Sequence, residues 1–184
     1  MRRLLFAAAF LLAAAPAAAQ VMHPITLDGE AFVRATTRPV VPGELRVDFV
    51  RENESFDNWT KMVGFRRQEL PNLDNDPVKA ARALMDLVKA ANPKAEARII
   101  VTVEKNQALV DFLSWPKDAK YMEFNVLRFV RSTDGKAVVT LQFAHRFTDS
   151  RTKEGADRFR QLRRAWIRQA VNYDMGIVQA AMTP

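Results

Sequence analysis

The sequence predicts an α+β fold: an antiparallel β-sheet built of consecutive hairpins, with one helix between strand pairs and one C-terminal helix. Three observations carry this. The first is Tyr121–Thr148, two runs of strand-forming residues joined through Ser132-Thr133-Asp134-Gly135, where Asp-Gly is a strong hairpin signal. A two-residue loop at Asp134-Gly135 sets Val130 opposite Val139, Val126 opposite Phe143 and Met122 opposite Phe147 on one face. It sets Glu123 opposite Arg146 and Asn125 opposite Ala144 on the other, and a one-residue slip would scramble the whole set. The second observation is a pair of further strand pairs, Glu44–Val50 with Trp59–Arg67 and Arg98–Glu104 with Gln107–Trp115. The third is a helical period in Pro77–Ala91 and again in Thr152–Asp174. Leu127, Phe129 and Val138 fall on the otherwise polar side of the long hairpin, so that side needs cover too. Helices on both faces, an α/β/α sandwich, are therefore expected.

Taken in order, the chain opens on Arg2-Arg3, an apolar run Leu4–Leu12 and Ala17-Ala18-Ala19. This is the pattern of a signal peptide over residues 1–19, cleaved after Ala19. The expected product is periplasmic or secreted, with no transmembrane span left after cleavage. Residues 20–43 carry Pro24, Pro39 and Pro42, which predicts a loosely packed N-terminal arm with one edge strand at Ala31–Thr36. Residues 44–184 form one α+β domain. In Glu44–Val50, Leu45, Val47 and Phe49 alternate onto one face, and Trp59, Val63 and Phe65 share parity on the partner run. Gly64 inside that run marks a bulge or a close approach. Asp76-Pro77 reads as an N-cap followed by proline at the first helical position, and Asn92-Pro93 stops the helix. In the last helix Phe159, Leu162, Trp166, Ala170 and Tyr173 share one side, with Glu154 and Asp157 near the start where the dipole favours acids. Gly176 is placed to end it, leaving an apolar tail, Ile177–Met182.

Cysteine is absent, which excludes disulfides, thiolate metal sites and cysteine nucleophiles together. The formal charge of +7 falls to +5 once Arg2 and Arg3 leave with the leader. A basic exported chain suits anionic envelope components or an acidic protein partner, and its compartment argues against nucleic acid. The chain has two histidines, His23 and His145, no H-E-x-x-H and no G-x-S-x-G. No catalytic residue, metal site or cofactor is therefore assigned.

The second half resembles the PsbP-like family of small exported α/β/α proteins. The likeness rests on Tyr121–Val130, the turn at Asp134-Gly135, Lys136–Phe147, the closing helix Thr152–Tyr173 and the upstream helix Pro77–Ala91. It is one of element order over about two thirds of the mature chain, and it has no diagnostic motif. The resemblance implies the fold and a non-catalytic role. No site residue can be carried over from it.

Two sets of residues stand out as candidate sites. Arg128 and His145 project onto the apolar face of the long hairpin, where a charge needs a partner. Arg128 either pairs with a carboxylate such as Asp48 or Asp111, or serves as an anion clamp in a ligand pocket with Trp59 nearby. His145 either hydrogen-bonds backbone near the strand end, or joins that pocket or a small hydrolase site. On the last helix Arg160, Arg164 and Arg168 follow at four-residue spacing, with Arg163 and the apolar Ile167 among them. That face is either solvated or a docking surface, since arginine offers bidentate contacts to carboxylates and phosphates.

Overall fold

The computed structural model describes residues 25–39, 42–115, 121–147 and 152–183. The expected leader and the charged loop Pro116–Lys120 lie outside them. Eight strands, β1 (Ile25–Leu27), β2 (Glu30–Pro39), β3 (Glu44–Arg51), β4 (Lys61–Gln68), β5 (Glu96–Thr102), β6 (Gln107–Ser114), β7 (Met122–Arg131) and β8 (Val138–Phe147), form one antiparallel sheet. Its order is β1-β2-β3-β4-β8-β7-β6-β5. Among the described residues three α-helices accompany it: α1 (Pro77–Ala91), α2 (Lys153–Asn172) and α3 (Met175–Ala181).

The long hairpin has the expected register: Val130 faces Val139, Val126 faces Phe143, Met122 faces Phe147 and Glu123 faces Arg146. Its turn differs from the one expected. Gly135 N–H donates to Ser132 O at 2.9 Å, and only Gly135 takes a left-handed φ, 71°. The loop thus spans four residues between Ser132 and Ala137, which keeps the same pairing. Asp134 Oδ1 fastens it by accepting from Ser132 Oγ and Lys136 N. A two-residue Asp-Gly loop does occur, at Asp28-Gly29 between β1 and β2, with φ of 57° and 76°. Both central residues need positive φ in that turn type.

That turn corrects the expected loose arm. β1 and β2 are strands of the sheet, with Leu27 and Phe32 fully buried in the main core, and β2 runs beyond the expected Ala31–Thr36 in both directions. The boundary expected at residue 44 therefore falls inside the sheet.

Strand alternation sorts the two faces. Val47, Phe49, Val63, Phe65, Phe124, Val126, Leu141 and Phe143 face α2 and α3, which contribute Trp166, Ala170, Met175, Val178 and Met182. Leu127, Phe129, Val138, Ala108 and Val110 face α1, which contributes Ala80 and Ala81. Helices thus lie on both faces of the sheet. α1 begins at Asp76, whose carboxylate accepts from Val78 N and Lys79 N at 2.8 Å, satisfying two donors that the helix leaves open. α2 is capped by Thr152 through Gly155 N. Gly176 does not end α2: it lies inside α3, which Asp174 caps. The apolar tail is docked, because Val178 and Met182 are buried in the core.

Candidate functional site

Arg128 does not clamp an anion. From β7 it points Nη1 at the backbone oxygens of Ala170, Val171 and Tyr173, at 3.1, 2.8 and 3.0 Å. Nε and Nη2 donate to Gln107 Oε1. The last carbonyls of a helix have no intrahelical partner and carry its negative dipole end, so the guanidinium caps α2 from outside. Neither Asp48 nor Asp111 pairs with it.

His145 lies on the same face, four positions further along β8 than the residue opposite Arg128. That is about 13 Å of extended chain. Its ring lies 5.7 Å from Trp166 and 5.2 Å from Phe147, and its Nδ1 is buried without a partner. Burial, with help from nearby Lys61, lowers its pKa to about 4. No hydroxyl or carboxylate hydrogen-bonds it among the described residues.

Trp59 sits on the opposite face. The turn through Ser55 and Asn58 breaks the parity that would have aligned it with Val63. It packs instead with Val50, Met62 and Ala144, and Arg146 lies 3.7 Å over its ring. The pocket expected from Arg128, His145 and Trp59 is not formed.

The arginines of α2 divide. Arg163 turns inward to Asp111 of β6, a carboxylate in a residue only 1 % exposed. Ile167 packs against the core. Arg160 pairs with Asp157 one turn back, and both are exposed. Arg164 and Arg168 are exposed, with no acidic partner among the described residues. Val171 continues their side of the helix and is 52 % exposed. What projects outward is therefore Arg160, Arg164, Arg168 and Val171, on a helix pinned from behind by Trp166 and Ala170.

A second charged group closes the end of the sheet. Glu54 accepts from Arg51 Nη2 at 2.6 Å and from Thr60 N and Oγ1 at 2.8 and 2.6 Å, while Glu30 joins Arg51 and Lys61. Burial alone would raise the Glu54 pKa. The Arg51 and Thr60 bonds outweigh it and hold the carboxyl at about 2. Glu30, Ala31, Arg51, Glu52 and Asn53 line a shallow open hollow here.

This arrangement sets the acid response. Both His145 and Glu54 have folded-state values below their unfolded ones, so their stabilisation is present above the unfolded values and lost as pH falls. For His145 the window runs from 6.5 down to about 4. For Glu54 it runs from 4.5 to about 2, and spans about 3 kcal/mol. Denaturant melts at stepped pH should show stability falling in two stages. His145→Phe should abolish the upper stage, and an unchanged upper stage in that variant would contradict the assignment.

Among the described residues no cluster of His, Asp or Glu could hold a metal ion, and no helix is long and apolar enough to cross a membrane. A protein-family model matches residues 19–175. The chain belongs to that family. The match runs from before β1 to the first residue of α3, so membership covers the entire sheet with α1 and α2. No curated protein and no solved structure matches.

Proposed function

We propose that the protein is an exported, non-catalytic binding or accessory protein that holds an acidic protein partner against the outer face of α2. One observation carries this. Arg164 and Arg168 stand one turn apart on the outermost side of a rigidly seated helix, and no carboxylate among the described residues neutralises them. A solvated stripe would serve solubility alone, but Val171 adds exposed apolar surface to the same side, which favours a protein over a purely ionic surface. The leader pattern at residues 1–19 supports export. The element order that resembles PsbP-like proteins supports a binding role.

The test is capture of partners from an envelope extract by the wild type and by R160Q/R164Q/R168Q, with anionic vesicles as a second arm. Arg163 is left intact because it holds Asp111. Capture should weaken at least about tenfold in the variant and fall as ionic strength rises, since exposed charges are screened beyond about 10 Å at 0.1 M salt. Salt-independent capture that survives the triple change would end the proposal. Vesicle binding without protein capture would reassign the face to a lipid surface.

A further inference from the structure

On the sheet face shared with α1, the register places Arg46, Arg66 and Thr140 in one row across β3, β4 and β8. Like charges directly opposite on neighbouring strands are destabilising, and this chain sets Arg46 and Arg66 side by side. Arg46 is answered by a carboxylate on its own strand, its Nε donating to Asp48 Oδ1 at 2.8 Å. Arg66 has no hydrogen bond or ion pair among the described residues, and its Nε is buried without a partner. Burial, then the charge of Arg46, pushes its pKa down against the pull of Asp48 and Glu44. Thr140, opposite Arg66, is 1 % exposed, and its Oγ1 is also without a partner.

The row lies between two covers. On one side α1 shields Leu127, Phe129 and Val138. On the other, Phe56 and Trp59 shield Val50, Met62 and Ala144. A half-buried guanidinium without a hydrogen-bond partner among the described residues, beside a second one whose carboxylate partner is Asp48 and beside a buried unpartnered hydroxyl, breaks a packing rule, which is the mark of a functional site.

We propose that Arg46, Arg66 and Thr140 form a binding site for a phosphate group. With Arg46 Nε given to Asp48, the Arg66 guanidinium, the remaining Arg46 donors and the Thr140 hydroxyl still offer more donors than the two oxygens of a carboxylate can take. A phosphate has enough oxygens, and arginine matches its geometry bidentately. The site is on the face away from α2 and does not depend on the role given to that helix.

The experiment is calorimetric titration and thermal melting of the full chain with inorganic phosphate, glycerol phosphate, anionic phospholipid vesicles and acetate. Free phosphate or the phosphomonoester should bind and raise the melting temperature. Binding confined to vesicles, and dependent on Arg66, identifies the phosphate as a lipid headgroup. Arg66→Met and Arg46→Met should each weaken binding at least about tenfold, and Thr140→Val should weaken it less. R160Q/R164Q/R168Q should bind phosphate as the wild type does. Without phosphate, Arg66→Met should melt at or above the wild-type temperature, because it removes a like-charge contact. No binding of any probe at about 10 mM, equal binding of acetate, or full binding by Arg66→Met would overturn the site. So would a lowered melting temperature in Arg66→Met when phosphate leaves the wild type unaffected, since Arg66 would then be structural only.

Discussion

Arg128→Met should destabilise the protein by about 3 kcal/mol, since hydrogen bonds to a charged group contribute roughly 1.5–3 kcal/mol each and this group is partly hydrated. For a chain of this size that is a fall of roughly 6–12 °C in melting temperature. The cause is the C-terminal turn of α2. Three of its backbone oxygens have Arg128 as their partner, and methionine fills the stem's volume while donating nothing. The loss should be local before it is global, so hydrogen exchange should speed up first in the last turn of α2 and in α3. Arg128→Lys should recover only part of the loss, because one ammonium cannot reproduce the fork that spans Gln107 and the helix end. A variant within about 0.5 kcal/mol of wild type, with unchanged exchange in α2, would contradict this role.

The second large effect is expected from Arg163→Met, at about 3–5 kcal/mol near neutral pH, the usual result of stranding one member of a buried ion pair. Asp111 already has a raised pKa: burial pushes it up, and Arg163 pulls it down. Removing Arg163 raises it further. A folded-state value above the unfolded one gives stability that is present at low pH and lost as pH rises. The variant's deficit should therefore shrink in acid, where Asp111 is protonated. The double change Asp111→Leu with Arg163→Met should recover most of the stability, because two apolar groups leave no buried charge. If the double variant is as unstable as the single one, the defect is packing and not electrostatics.

Much of the fold was legible in the sequence because its signals are local. Asp76-Pro77 marked the start of α1, and the alternation of Leu45, Val47 and Phe49 marked the buried side of β3. The register of β7 with β8 was readable because five cross-strand pairs agreed at once, and it held even though the turn was of another type. β1 and β2 were underestimated for a physical reason. A three-residue strand and a run as polar as Arg34-Ala35-Thr36-Thr37-Arg38 owe their order to the neighbour β3, not to their own pattern. The sites were less legible still. Arg128 finds its acceptors 42 to 45 positions downstream, and Arg163 finds Asp111 on a distant strand. Trp59 shows the limit of parity, which counts only while the chain stays extended. The row of Arg46, Arg66 and Thr140 was invisible until strand order placed β3, β4 and β8 side by side.

The strand order also has a temporal side. β1 to β4 follow one another as neighbours, and so do β5 to β8, but the two series meet only where β4 pairs with β8. The last of the described strands is thus a central one. Until residues 138–147 are available, β4 and β7 each present an unpaired flank, and α2, which follows them, cannot cover the joint core. Each half can assemble from near neighbours at little loop-closure entropy. The join between them waits for β8.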